Sequence, residues 1–290
     1  MSGGPVAAML PDGRRLHLQH GPIDLVIEAF ADRAAEIERA YGQATLRFAD
    51  ILQRLVDELP GLRTGVGDVY PLFQGPVARR MAAAVWPHRA LFITPMAAVA
   101  GSVADEVLAA LVAGRQLRRA YVNNGGDIAL HLAPGESFRA GIVGDQDRPS
   151  IDAAALVDAA MPVRGIATSG WRGRSQSLGI ADAATILADD AAMADAAATM
   201  VANAVNIDHP AIRRLPARRL RDDSDLGELP VTVAVGTLPP GAVRQALANG
   251  AATARAMQAR GLLRAAYLAL QGSSLTVGAL PQLAASEALA

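Results

Sequence analysis

Three segments of the sequence carry residue types that could bind a ligand or do chemistry, and the first is a glycine turn. It consists of Asn124, Gly125, Gly126 and Asp127, between two runs with strand character. Glycines tolerate positive φ, so backbone N–H groups can converge there on an anion or a carbonyl, and Asp127 could orient a hydroxyl or an amide. We predict these four residues as cofactor-binding. Because Asn-Gly is also the commonest hairpin signal, an ordinary hairpin turn is the alternative.

The second segment is a loop of small hydroxyl residues and arginines that follows a predicted strand. Thr168, Ser169 and Gly170 come first, and Arg172 and Arg174 follow closely. Such a loop can wrap a phosphate or a sugar, and each arginine presents a planar fork to anionic oxygens. We predict all five residues as cofactor-binding, although a flexible surface loop with solvated arginines would have the same composition. A serine-hydrolase interpretation fails because no Gly-x-Ser-x-Gly elbow is present.

The third segment is a polar stripe on an alanine-rich helix that is predicted over Asp190–Val205. Asp195, Thr199 and Asn203 recur every four residues, which places them on one helix face. Carboxylate and hydroxyl oxygens suit magnesium or calcium better than zinc. We predict all three as catalytic residues, and Asp195 and Thr199 also as metal ligands. The alternative is that the stripe is the solvent side of an amphipathic helix.

Composition excludes several other kinds of site. The chain of 290 residues has no cysteine, and all 27 of its basic residues are arginines. Thiolate catalysis, zinc–thiolate sites, Schiff-base chemistry and a Walker-type lysine are therefore excluded. The net charge of −1 gives no overall attraction to nucleic acid or to an anionic membrane. The N-terminus has no basic start followed by an apolar run, so we expect a cytoplasmic protein.

The elements that must position these segments are a mixture of hairpins and helices. A hairpin of Val6–Leu10 and Arg15–His20 precedes a helical region predicted from Ile23 to about Leu59, and Ala90–Ile93 is predicted as a short buried strand. Hairpins and long helices without regular βαβ alternation indicate an α+β layered fold. We expect a single domain over 1–290, in one or two lobes, with N-terminal hairpin and helices (1–89), a motif-bearing core (90–206) and a C-terminal α/β extension (207–290).

In this order, the three segments resemble the ApbE superfamily, whose best-known members transfer FMN from FAD to proteins. That superfamily has a Gly-Gly-Asp turn after a strand, matched by Val122–Asp127, and an Ala-Thr-Ser-Gly segment, matched by Ala167–Gly170. A threonine-containing strand precedes an Ala-Asp-Ala-x-Ala-Thr helix, matched by Thr185 and Ala194–Thr199. The sequence is most similar to an uncharacterised cytoplasmic branch. The resemblance implies a T-fold-like layered fold of mostly antiparallel sheet with packed helices.

The resemblance also implies roles for individual residues. In the flavin transferases the Asp and Thr of that helix bind magnesium, which puts Asp195 and Thr199 in this role. A backbone carbonyl near the start of an earlier helix completes the metal shell there, and the matching stretch is Ala98–Gly101. Two departures fall where those enzymes handle the flavin nucleotide. The lysine that precedes the glycine corresponding to Gly101 in those enzymes is missing here. The residues from Trp171 to Asp182 replace their His-x-x-Asp-Pro-x-Thr-Gly segment.

Together these observations predict an ApbE-like enzyme that acts on a nucleotide-like or phosphorylated small molecule in thiamine, flavin or one-carbon cofactor metabolism. The expected cofactors are Mg²⁺ and FAD or another nucleotide-like ligand. The expected partner is a small-molecule substrate, with no nucleic acid and no membrane, and a homo-oligomer is compatible with the sequence. The alternative is a non-catalytic flavin- or pterin-binding module that has lost flavin transfer. A third interpretation is a scaffold whose N-terminal helices form a partner surface.

Overall fold

The computed structural model describes residues 4–142, 153–173 and 175–279. The chain divides into two compact units. The first is formed by the described residues of Met1–Ser137, Asp158–Ala167 and Ala188–Ala196. The second is formed by those of Phe138–Val157, Thr168–Leu187 and Ala197–Ala290.

An antiparallel sheet forms the centre of the first unit. Its strands, in spatial order, are β1 (Val6–Met9), β2 (Leu16–His20), β3 (Ile23–Phe30), β4 (Arg119–Asn124) and β5 (Asp127–Leu132). Each strand pairs antiparallel with the next, and β5 pairs in the same sense with Gly165 and Ile166. The predicted N-terminal hairpin is therefore confirmed. Its turn is tied by Asp12, whose Oδ1 accepts the N–H of Arg14 at 2.9 Å.

Helices cover one face of this sheet. They are α1 (Ala34–Phe48), α2 (Ile51–Asp57), α3 (Leu59–Leu62), α4 (Pro76–Val85) and α5 (Val99–Val112), with 3₁₀ turns at Trp86–His88 and Pro95–Ala98. Helix α5 packs on α1, β4 and β5. The inward residues of the strands, such as Leu18, Leu25 and Ile27, share one core with Phe48 of α1 and Leu111 of α5. Burial of this apolar surface is the main force that holds the layers together.

Two predicted elements of this unit are wrong. The helix expected from Ile23 begins only at Ala34, because residues 23–30 form the strand β3. Buried and partly exposed residues alternate along β3, so Leu25 and Ile27 mark a period of two. The strand expected at Ala90–Ile93 is not formed, and Leu91 within it is 62% exposed.

The rest of the chain adds shorter strands and two long helices. The strands are β6 (Ser137–Ile142), β7 (Ala153–Asp158), β8 (Gly165–Ser169), β9 (Ala183–Ala188), β10 (Ile212–Pro216), β11 (Pro230–Val235), β12 (Ala265–Leu270) and β13 (Ser273–Val277). The helices are α6 (Ala191–Ala204) and α7 (Pro240–Ala259). In the second unit β12 pairs antiparallel with both β9 and β13, and α7 packs on β12 and β13. The predicted α+β class with a mostly antiparallel sheet is confirmed.

One stretch of the described chain, Pro95–Val112, has the length and composition of a candidate membrane span. It has 18 residues with a mean hydropathy of 1.5, and half of it is buried inside the protein. It also contains Asp105 and Glu106. Its helical part is α5, whose contacts with α1, β4 and β5 are those of a core helix.

Candidate functional site

Helices α5 and α6 each supply an aspartate that binds the N-terminus of the other helix. Asp105 of α5 is 9% exposed, and its two carboxylate oxygens accept the N–H groups of Ala191 at 3.1 Å and Ala192 at 2.9 Å. Those N–H groups belong to the first turn of α6, where a helix has no internal acceptors for them. The carboxylate therefore satisfies donors that would otherwise be buried without partners.

Asp195 makes the reciprocal contact with the start of α5. Its Oδ2 accepts the N–H of Gly101 at 3.0 Å, and the N–H of Ala100 also donates to its carboxylate. The stretch Ala98–Gly101 thus lies next to Asp195. By resemblance, this stretch corresponds to the one whose backbone carbonyl completes the metal shell in the flavin transferases. The groups seen at Asp195 are N–H donors, whereas the carbonyl oxygen of Ala100 accepts the side-chain amide of Asn124 at 3.1 Å.

Two glycines allow these backbones to come so close. A Cβ at Gly101 would lie 2.1 Å from the carbonyl oxygen of Ala191. A Cβ at Gly165 would lie 2.0 Å from the carbonyl oxygen of Asp190. No side chain fits at such distances, so the backbone before α6 rests directly on α5 and on β8. Asp190 itself closes the first turn of α6, because its Oδ1 accepts the N–H of Met193 at 2.7 Å.

The acidic residues of the first unit shift each other's protonation. Burial raises the pKa of Asp195 well above its ordinary value, and the charge of Asp127 raises it further, against the opposing effect of the N–H donors. Burial raises the pKa of Asp105 to about 7, and Asp190 adds to the shift while Arg80 opposes it. A carboxylic acid that is costly to ionise is typical of functional sites, although structural networks produce it too.

The glycine turn is a two-residue hairpin between β4 and β5. Gly125 has a φ of 65° and Gly126 a φ of 112°, and Asn124 pairs directly with Asp127. The side-chain oxygen of Asn123 accepts the N–H of Gly126 at 2.8 Å. The hairpin alternative therefore describes the backbone, while ligand binding by these four residues stays a prediction. The structure does bring this turn into the same unit as Asp195, with Asp127 close enough to act on its charge.

The residues of the second predicted segment lie in the second unit. The hydroxyl of Thr168 is hydrogen-bonded to that of Thr185, 2.8 Å away on β9. Ser169 is partly exposed, and a Cβ at Gly170 would lie 2.4 Å from the carbonyl oxygen of Asp182. The loop is thus held closely against the backbone at Asp182. Arg174 lies outside the described residues.

Asn203 holds a loop rather than facing open solvent. Its side-chain oxygen accepts the hydroxyl of Ser177 at 3.1 Å and the N–H of Leu178 at 2.9 Å. The carbonyl oxygen of Leu178 in turn accepts the side-chain amide of Asn206 at 3.0 Å. Thr199 is partly exposed one turn earlier on α6. The catalytic role predicted for Asn203 stays a prediction, and its oxygen already has two donors.

Sequence reasoning missed an anchor in this second unit, the carboxylate of Asp182. It is 6% exposed, and its Oδ1 accepts the indole N–H of Trp171 at 3.2 Å and the Nε–H of Arg172 at 3.3 Å. Its Oδ2 accepts the N–H of Gln271 at 2.6 Å. The only available signal was a lone aspartate between the apolar residues Ala181 and Ala183.

The oxygens around Asp195 supply some, but not all, of the ligands of a hard-cation site. Asp195 and Asp127 are two carboxylates whose mutual repulsion a cation would relieve, and Thr199 offers a hydroxyl one turn along α6. Among the described residues, however, no three acidic or histidine side chains converge as metal ligands. Any cation here would need backbone, hydroxyl, water or substrate oxygens to complete its shell.

Residues 7–276 match the family described as AbpE bacteria. Among curated relatives, a UPF0280 protein of Methanosarcina acetivorans is 40% identical over 138 residues, which are 47% of this chain and 51% of that protein. The chain thus spans about half the length of the first such relatives. A UPF0280 protein of Methanopyrus kandleri is 33% identical over 186 residues, which are 63% of this chain and 72% of that protein.

Two solved structures are similar over most of their length. The apo form of the flavinyl transferase ApbE of Pseudomonas stutzeri is 13% identical with a TM-score of 0.41, covering 95% of this chain and 94% of that one. The flavin transferase ApbE of Vibrio cholerae is 12% identical with a TM-score of 0.42, covering 96% and 97%. The family assignment rests on the family match, which runs through nearly the whole chain and confirms the ApbE-like membership predicted from the motifs. The chain therefore belongs to the AbpE bacteria family.

Proposed function

We propose that this protein is an ApbE-like enzyme that binds a phosphorylated or nucleotide-like small molecule together with a divalent cation at Asp195. The observation that carries the proposal is Asp195, a partly buried carboxylate that accepts the N–H of Gly101 and is repelled by a second carboxylate, Asp127, at a glycine turn. Burial and repulsion both favour the protonated form of Asp195. A cation would replace that proton and stabilise both carboxylates as ligands.

The ligands proposed for the cation are oxygens. Asp195 supplies a carboxylate, Asp127 can supply a second, and Thr199 supplies a hydroxyl, the ligand types that Mg²⁺ prefers. When bound, such a cation neutralises phosphate charge and orients the phosphate oxygens. The N–H groups of Ala100 and Gly101 hold the Asp195 carboxylate in place, so its position does not depend on the cation.

Two further predicted segments, each considered within its own unit, could bind oxygens of an organic ligand. Backbone N–H groups at Gly125 and Gly126 can approach a carbonyl or anion closely, because no side chain intervenes. The hydroxyls of Thr168 and Ser169 can donate to phosphate or sugar oxygens, and Arg172 can pair with an anionic end. We propose a flavin nucleotide as the first ligand to test, since the best-known members of the superfamily use FAD.

Calorimetric titration with Mg²⁺ and with Mn²⁺ tests the cation site. We expect saturable binding by the wild type, and a loss of at least tenfold in affinity for Asp195→Asn, which keeps the shape and removes the charge. Asp32→Asn is the matched control, because the substitution removes the same charge from a side chain that is 84% exposed. Equal cation affinity of Asp195→Asn and wild type would show that Asp195 is only a helix cap.

A non-catalytic flavin- or pterin-binding module is the second candidate function. It is favoured by two departures from the flavin transferases. Their lysine is missing because this chain has none, and the residues from Trp171 to Asp182 contain no histidine. Incubation with FAD and Mg²⁺, with water and a hydroxyl-bearing peptide as acceptors of the FMN group, followed by chromatography for released AMP, separates the two. Bound FAD without AMP release supports the module, whereas turnover supports a transferase.

The proposed setting is cytoplasmic cofactor metabolism, with a small molecule rather than a nucleic acid or a membrane as partner. It is supported by the balanced net charge of −1 and by the small-ligand chemistry of the predicted loops. Mass spectrometry of small molecules that remain bound through native purification tests it. Recovery of a flavin, a pterin or a thiamine derivative would identify the branch of metabolism.

A further inference from the structure

We infer that Trp171 is a stacking platform for the planar aromatic ring of the ligand, a flavin or a pterin. The inference rests on the proposed function for the class of ligand, and on the second unit alone for its geometry. Trp171 directly follows the loop Thr168–Gly170, which is predicted to bind the same ligand. Its side chain is partly exposed, in a chain that has only two tryptophans.

A buried carboxylate fixes the indole ring. Asp182 accepts the indole N–H of Trp171 at 3.2 Å, and the same oxygen accepts the Nε–H of Arg172 at 3.3 Å. Burying a carboxylate is costly unless it is paired and hydrogen-bonded, and Arg172 with the N–H of Gln271 provides that compensation. The outcome is a partly exposed aromatic ring with a defined orientation, which reduces the ordering cost when a ligand binds.

Arg172 packs on the platform as an ion-paired cation, because its Nε–H donates to Asp182. Its guanidinium carbon lies 4.6 Å from the centroid of the Trp171 ring, within the range of a cation–π contact. Its side chain is 31% exposed. Because Arg172 lies over one face of the indole, a ligand ring that stacks on Trp171 would use the other face of this electron-rich ring. An electron-rich indole suits an electron-poor heteroaromatic ring, such as the ring system of a flavin.

The backbone around the platform leaves little freedom to move. The N–H of Trp171 donates to the carbonyl oxygen of Ala181 at 3.0 Å. Gln271, whose N–H binds Asp182, has a φ of 46°, the one positive φ among non-glycine residues of the described chain. Its side chain is also bound at both ends, since Nε2 donates to Gly236 and Oε1 accepts the N–H of Leu238. Gln271, which holds Asp182, is thus itself held in place through its side chain.

Trp86 provides a matched control within the same chain. Arg89 lies over its ring at 4.2 Å, and the Tyr70 ring meets it edge-on at 5.1 Å. Trp86 thus has a comparable cation–π contact, but lies in the first unit and follows none of the predicted ligand loops. Removing each indole in turn separates stacking at Trp171 from general effects of losing a tryptophan.

Titration of FMN, of riboflavin and of a pterin, followed by ligand fluorescence and by calorimetry, tests the inference. A stacked indole quenches flavin emission, so we expect strong quenching on binding to the wild type and to Trp86→Leu. For Trp171→Leu we expect affinity at least tenfold lower and bound flavin that stays emissive. Trp171→Phe keeps an aromatic ring but loses the N–H bond and part of the stacking area, so we expect about a threefold loss. This variant also serves if the leucine variant does not fold.

Three results would overturn the inference. Trp171→Leu with wild-type affinity and quenching would show that the ring is not used, while leaving the proposed function intact. Equal losses for the leucine and phenylalanine variants would assign the effect to the lost hydrogen bond with Asp182. Absence of FMN, riboflavin and pterin binding to the wild type would remove the ligand class altogether. The proposed function is judged apart from all three, by Mg²⁺ binding at Asp195.

Discussion

Asp105 and Asp195 each bind the N-terminus of the helix that carries the other. Asp105 of α5 receives the first N–H groups of α6, and Asp195 of α6 receives those of Ala100 and Gly101 in α5. Neither contact is local in sequence. The residue that precedes α5, Ala98, makes no side-chain cap of its own. The start of α5 therefore depends on a carboxylate 94 residues away from Gly101.

Replacing Asp105 with asparagine should flatten the dependence of stability on pH. With a pKa of about 7 in the folded protein and 3.8 as its ordinary value, Asp105 binds its proton more tightly when folded. Its contribution to the free energy of unfolding is therefore full below about pH 4 and is lost as pH rises to about 7. At about 1.4 kcal/mol per pKa unit, the loss is on the order of 4 kcal/mol.

Urea unfolding at pH 5 and pH 8 measures this effect. We expect the difference in stability between these two pH values to be smaller in Asp105→Asn than in the wild type. The slope with pH is the informative quantity, because asparagine also loses one acceptor for the N–H groups of α6 and lowers stability at every pH. An unchanged slope would mean that Asp105 titrates near its ordinary pKa.

Gly101→Ala should destabilise the protein strongly. The added Cβ would lie 2.1 Å from the carbonyl oxygen of Ala191, a backbone atom that cannot rotate away. Overpacking of this kind costs typically about 1–3 kcal/mol, and a backbone collision belongs at or above the upper end. Gly42→Ala is the control, because Gly42 lies inside α1 with nothing within 4 Å of its Cβ position. There alanine should stabilise by about 0.5–1 kcal/mol.

Asn203→Ala should destabilise the second unit if Asn203 acts through the loop it binds. The change leaves the hydroxyl of Ser177 and the N–H of Leu178 without this acceptor, at a cost of about 1–3 kcal/mol. Asn203→Asp keeps the acceptor and should retain most of the stability. Thermal unfolding and hydrogen exchange at the Leu178 amide report the effect. Loss of activity with unchanged stability would instead support the predicted catalytic role.

Tyr121 should titrate later than an ordinary tyrosine. Burial raises its pKa to about 12, and the neighbouring carboxylate of Glu28, which accepts the phenol O–H at 3.2 Å, adds to the shift. Burial raises the pKa of Tyr41 as well, so ultraviolet difference titration of the four tyrosines should show fewer than four transitions near pH 10. Comparison with Tyr121→Phe then identifies the late transition that belongs to Tyr121. In Glu28→Gln the pKa of Tyr121 should fall. A Tyr121 transition at the ordinary pH would contradict the burial seen here.

Local patterns predicted most of the elements and some of the site. The alanine-rich run before Val205, the glycine turn at Gly125 and the Thr168 loop were each recognisable from neighbouring residues. Strand β3 was missed because Leu25, Ile27, Phe30 and later apolar residues also fit a helical spacing. Tertiary pairing with β2 and β4 decides in favour of the strand.

The anchoring carboxylates could not be predicted, because their partners are distant in sequence. Asp105 meets Ala191 across 86 positions, and Asp182 meets Gln271 across 89. A single sequence gives no sign of such pairs, since each aspartate looks like any polar residue in an apolar run. Their burial makes the contacts energetically important, yet burial is itself a property of the finished fold.

Two backbone contacts limit how this sequence can evolve: Gly101 lies against Ala191, and Gly165 lies against Asp190. Both glycines face backbone oxygens at about 2 Å from where a Cβ would stand, so even the smallest mutation adds a collision that no neighbouring side chain can absorb. Exposed loops can accept many substitutions, whereas these two positions accept only glycine. A randomised library selected for folded protein should accordingly return glycine at both, whatever ligand its members bind.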